Sequence, residues 1–145
     1  PEARGIETYV LNFALNHEAE ALAARENASS VSTMARLQDL VQTIALNAKL
    51  DESREFAEMV QGALEQNLRA LNPKLRNLGV KQAPFVVLIG AHMPSVLAEI
   101  SFLSNPEEAR LLKQDAYREQ IAQALFDAVQ DYRDTLKNVQ VAVRP

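Results

Sequence analysis

The chain has 145 residues, 48% hydrophobic and 23% charged, with 19 acidic and 15 basic side chains for a net charge of -4, which suits one globular domain with its own core. No block of Lys and Arg stands out, which argues against nucleic acid or an anionic membrane surface as the main partner and leaves open a polymer read by shape and hydrogen bonds. Cysteine is absent, which excludes disulfides, thiolate-held zinc and thiol catalysis, and no apolar run is long enough to span a bilayer.

Gly5 to Leu11 reads as an alternation of apolar and polar positions, with β-branched and aromatic residues, and predicts a strand. Asn16 is a candidate cap for a helix that runs to Glu26, with Glu18 and Glu20 in its favourable first turn, and Asn27 to Ser30 breaks it. Ser32 or Thr33 opens a second helix with the face Leu37, Leu40, Val41, Ile44 and Ala48. Asp51 or Ser53 opens a third, whose stripe is Phe56, Val60, Ala63, Leu64, Asn67, Leu68 and Leu71 and which stops before Pro73.

Pro73 to Pro84 reads as a loop with a turn at Gly79. Phe85 to Ile89 is a continuous apolar run and predicts a strand covered on both faces. A short turn at Ala91 to Pro94 leads to a further strand over Ser95 to Phe102. Asn105-Pro106-Glu107-Glu108 is a helix start: Asn105 caps, Pro106 takes the first position and Glu108 completes a capping box. After a short helix to about Lys113, Asp115 caps a long one with the face Tyr117, Ile121, Ala124, Leu125, Ala128 and Tyr132. The expectation is an α/β fold: a single-layer mixed or mostly parallel sheet with helices on both faces, over residues 1–137, followed by a tail at 138–145.

Glu99 stands inside the apolar strand just ahead of that helix start. A charged carboxylate there is costly to desolvate, so it reads either as a functional group or as a hydrogen-bonded structural residue. Glu7 has the same two readings, a group at a cleft or an outward-facing strand residue. The Glu107–Glu108 pair reads as helix capping rather than a catalytic dyad. The chain has two histidines, and neither has a second ligand at metal-binding spacing. His17 reads as a solvated residue at a helix start, and His92, in the loop before Glu99, reads either as an ordinary loop residue or as a substrate or metal-supporting side chain.

The run Met93-Pro94-Ser95-Val96-Leu97-Ala98-Glu99, with Ser104-Asn105-Pro106 behind it, resembles the C-terminal part of the zinc-dependent N-acetylmuramoyl-L-alanine amidases, which cut peptidoglycan in bacterial cell walls. Gly5-Ile6-Glu7-Thr8-Tyr9, Ala23 to Ala28, Asp51 to Ala57 and Arg76 to Leu88 resemble other family segments in the same order, so nearly the whole chain is covered. The resemblance implies that Glu99 is the catalytic carboxylate. It also implies a Zn2+ cofactor, peptidoglycan as substrate and an envelope location, periplasmic or extracellular.

Two departures stand out. Position 92 is commonly Asn or Asp in the family and is His92 here. The family's zinc ligands, two His and one Glu, belong to the N-terminal half of the domain, the last of them shortly before the Gly5 strand. The chain therefore resembles the C-terminal part of a catalytic domain that lacks its N-terminal strands and has the missing half as a partner. It opens on Pro1 rather than Met, so a missing leader is no argument for the cytoplasm. The expected activity is zinc-dependent cleavage of the amide between N-acetylmuramic acid and L-alanine, with Glu99 as general base and acid and with this chain inactive alone. The alternative is a non-enzymatic envelope module that binds peptidoglycan or a partner. Some family members carry an inhibitory helical insertion; it would fall between Asn16 and Leu50, with Glu18, Glu20 or Glu26 as an acidic plug.

Overall fold

The computed structural model describes residues 3–12, 17–27, 50–89 and 91–142, the helical backbone alone at 17–19 and 138–142. In chain order the elements are β1 (Ile6–Leu11), α1 (His17–Glu26), α2 (Leu50–Leu68), β2 (Asn77–Ala83), a 3-10 turn (Val86–Leu88), β3 (Leu97–Glu99), α3 (Pro106–Leu112) and α4 (Asp115–Ala142). The α/β class is as expected. The helix predicted around Leu37 to Ala48 lies outside the described residues.

The three strands form one sheet in the order β2-β1-β3. β1 and β2 run parallel: the Ile6 N–H donates to the Arg76 carbonyl at their start (2.9 Å), and the Asn12 N–H to the Ala83 carbonyl at their end (3.3 Å). All six residues of β1 are buried, as befits a central strand covered on both faces. Glu7 is among them, so its reading as an outward-facing residue does not hold.

Three predicted boundaries are corrected. The loop expected over Pro73 to Pro84 contains β2. Gly79 takes a positive φ of 80° within that strand and its N–H donates to the Asn77 side chain, so the glycine marks a local distortion rather than a reversal. Pro84, which has no N–H, follows the last residue of β2. The strand expected over Phe85 to Ile89 is instead a turn closed by Leu88 N–H to Phe85 carbonyl and Ile89 N–H to Val86 carbonyl bonds. A three-residue period sends successive side chains in different directions, so Leu88 is buried while Val87 is 72% exposed. The strand expected over Ser95 to Phe102 is confined to Leu97–Glu99. At the C-terminus the expected tail is helical as far as Ala142.

The described residues fall into two compact units. The first comprises Pro1–Glu7, Glu58–Gly79 and Ala98–Pro145. Its buried apolar positions include Ile6, Val60, Leu64 and Leu68, and on α4 Tyr117, Ile121, Ala124, Ala128 and Tyr132, the helical stripes read from spacing. Leu71 departs from its stripe and is exposed, because α2 ends at Leu68 and both Leu71 and Asn72 turn back onto the Leu68 carbonyl. Asp115 lies inside the first turn of α4 and pairs with Arg118. Outside its stripe α4 carries exposed Phe126, Val129 and Leu136.

The second unit comprises Thr8–Ala57 and Val80–Leu97. Its core is Tyr9, Leu11, Ala23, Ala83, Phe85 and Leu88, with Leu22, Leu50, Ile89 and Leu97 packed against it. Tyr9 and Phe85 meet edge to face at 4.9 Å between ring centroids.

Candidate functional site

The start of α3 is densely bonded. Asn105 caps the helix as predicted, its side-chain oxygen accepting from the Glu107 and Glu108 N–H groups at 3.0 and 3.3 Å. Its amide nitrogen donates to the Ala3 carbonyl. The Glu107 carboxylate receives Arg4 at 2.5 Å and Lys74 at 3.0 Å. These contacts hold the Glu107 carboxyl below the usual Glu range, the Lys74 hydrogen bond being the largest cause and the Arg4 bond the next.

Glu108 departs from the capping-box expectation. Its side chain is 1% exposed, and its two oxygens accept from the Gly5 N–H and the Phe102 N–H, each at 2.8 Å. A buried carboxylate needs such partners. The helix start in the sequence gives a reason for an acidic residue at this position, but nothing in it says that one of the acceptor's partners, Gly5, lies 103 residues upstream.

Glu99 is the last residue of β3 and is half-buried. Glu7 lies on β1, the neighbouring strand, and is buried. Both belong to the first unit. Gln61 of α2 donates to the Ile6 carbonyl at 3.0 Å and to the Asn77 side chain at 2.6 Å, so the chain just ahead of Glu7 is fixed by a buried amide.

His92 lies in the second unit, exposed, in the bend before β3. The loop that carries it is tied down by Ser95, whose N–H donates to the Ser53 hydroxyl at 3.1 Å. Asn27, a helix breaker within a family-like segment of the sequence, has a further part to play. Its amide donates to the Pro84 carbonyl at 3.1 Å and accepts from the Val86 N–H at 3.0 Å, joining the end of α1 to the 3-10 turn.

Among the described residues no group of three or more His, Asp or Glu side chains is gathered as a metal site. His92 is exposed, and the side chain of His17 lies outside the described residues. The described residues therefore do not fit a zinc site on their own. Among them, too, no helix is long and apolar enough to cross a membrane.

This architecture resembles about half of the fold of solved bacterial amidases. The crystal structure of an N-acetylmuramoyl-L-alanine amidase from Clostridium difficile 630 matches with a TM-score of 0.59 and 24% identity, over 92% of this chain and 50% of that one. The pattern of the N-acetylmuramoyl-L-alanine amidase family matches residues 1–131, and the chain belongs to that family. Among curated relatives, the amidase AmiC of Neisseria meningitidis serogroup B is 34% identical over 93% of the chain. AmiA of Salmonella typhimurium is 30% identical over 91% of it. The chain spans 33% and 47% of those two proteins.

Proposed function

We propose that this chain is the part of a peptidoglycan amidase that carries the catalytic carboxylate, Glu99. The observation that bears most on this is the family match through the strand that ends at Glu99. The bond cut is the amide between the lactyl group of N-acetylmuramic acid and L-alanine of the stem peptide, in the bacterial envelope. In that hydrolysis a water oxygen attacks the amide carbon and the C–N bond breaks. Glu99 takes the proton that the water loses and gives it to the departing nitrogen. A half-buried carboxylate at a strand end suits this work, since it is reachable by substrate yet partly withdrawn from bulk water. Glu7 and His92 are the further side chains we assign to the neighbourhood of the substrate.

Zinc dependence is general in this family, and the described residues do not make a zinc site, so we place the zinc ligands outside this chain. The isolated chain should then bind no zinc after dialysis and release no peptide from sacculi, with or without added zinc.

The test of the main reading is Glu99→Gln in the full-length protein, assayed by release of soluble product from dye-labelled sacculi. Loss of nearly all turnover with an unchanged zinc content is expected. A wild-type rate in that variant would remove Glu99 from the mechanism. Binding of sacculi without any release by the wild-type protein would favour a binding module.

A further inference from the structure

We infer that Glu108 is a positioning residue for Glu99, an inference that rests on the catalytic reading of Glu99 above. Phe102 lies three residues beyond Glu99, within about 10 Å of chain. Both of its backbone groups are held: its N–H by the Glu108 carboxylate at 2.8 Å, and its carbonyl by the Asn105 N–H at 2.9 Å. The other oxygen of Glu108 holds the Gly5 N–H, two residues ahead of Glu7 on the strand beside β3. One buried side chain thus ties the exit of the strand carrying Glu99 to the entrance of its neighbour. Both partners are N–H donors, so an acceptor on each oxygen is required, and among the uncharged side chains none of this shape supplies two.

Glu108→Gln keeps the shape but turns an NH2 group toward either Gly5 or Phe102, where donor faces donor. Small displacements of a catalytic group lower turnover steeply. In the full-length enzyme this variant should therefore lose about 10- to 100-fold in kcat, with KM within about twofold of wild type. The acidic limb of its pH profile should also be displaced, because Glu99 sits in altered surroundings.

Asn27→Ala is the control. It removes the bonds that join the end of α1 to the 3-10 turn, and neither of those bonds involves Glu99, Phe102, Asn105 or Glu108. It should lower the melting temperature yet keep the wild-type kcat and pH profile below the transition. Glu108→Asp retains the charge but is one methylene shorter and reaches at most one of the two donors; it should fall in kcat as the Gln variant does, and it serves if the Gln variant fails to fold. Equal losses in the Asn27 and Glu108 variants, or a wild-type kcat and pH profile in the folded Glu108 variants, would overturn the inference. Run beside these, Glu99→Gln separates the two ideas. If it is inactive while the Glu108 variants are unimpaired, positioning alone fails; if it is fully active, the catalytic reading fails and this inference with it.

Discussion

Gly5→Ala should be among the most damaging single-methyl additions available to this protein. Gly5 has φ of 114°, and an added Cβ would stand 2.2 Å from the Arg76 carbonyl oxygen, 2.9 Å from Arg76 Cβ and 3.0 Å from its carbonyl carbon. The positive φ alone costs about 1–3 kcal/mol for an L side chain. Relief of the clash adds about 1–3 kcal/mol, as for other overpacked sites. Neither partner can retreat freely, because the Arg76 carbonyl accepts from Ile6 and the Gly5 N–H is held by Glu108. The expected total is about 2–6 kcal/mol, a large share of the ~5–15 kcal/mol that holds a domain folded. Urea unfolding followed by circular dichroism measures it, and an unchanged slope assigns the loss to stability rather than to the unfolded chain. Gly79→Ala is the internal comparison: φ is 80° there, but nothing lies within 4 Å of the added carbon, so about 1 kcal/mol is expected. A loss below about 1 kcal/mol for Gly5→Ala, or the reverse order of the two variants, would refute the steric argument.

Gly62→Ala, inside α2 and with nothing within 4 Å of the new carbon, should raise stability by about 0.5–1 kcal/mol in the same assay. Asn27→Ala removes the acceptor of the Val86 N–H and the donor to the Pro84 carbonyl; a loss of about 1–3 kcal/mol is expected, with faster amide exchange at Val86, and unchanged exchange there would count against it. Glu107 has a depressed folded pKa, chiefly through Lys74 and then Arg4. Its stabilisation is therefore present above the ordinary Glu range and is lost as pH falls through the depressed value. Glu107→Gln should flatten the acid side of a plot of urea midpoint against pH, and added salt should do the same to wild type.

The helices were legible in the sequence because their evidence is local. Val60, Leu64 and Leu68, and Tyr117, Ile121 and Ala124, recur at helical spacing and are buried, and Asn105-Pro106 gives its own start signal. The strands were less legible. Gly79 announces a turn in sequence, yet in the structure β1 beside it lets the chain stay extended through the distorted residue. The run Phe85 to Ile89 has the composition of a buried strand, but hydrophobicity does not distinguish a strand from a tight turn that buries only Phe85 and Leu88. The candidate site divides in the same way. Glu99 is visible as a charge in an apolar run, whereas the tasks of Glu108, Gln61 and Asn27 are set by partners 103, 55 and 59 residues away.

The order of the strands in the sheet also says when the protein can fold. β1 leaves the ribosome ahead of both its neighbours in the sheet, β2 and β3, which begin at Asn77 and Leu97. Its fasteners, Asn105, Glu107 and Glu108, are made later still. Most of the chain must be synthesised before its central strand has a neighbour on either side, so the native contacts are ones of long loop closure and slow formation. Chains stalled before residue 97 should remain open to protease through the Ile6–Leu11 segment, and protection there should appear only once the turn at Asn105 has emerged.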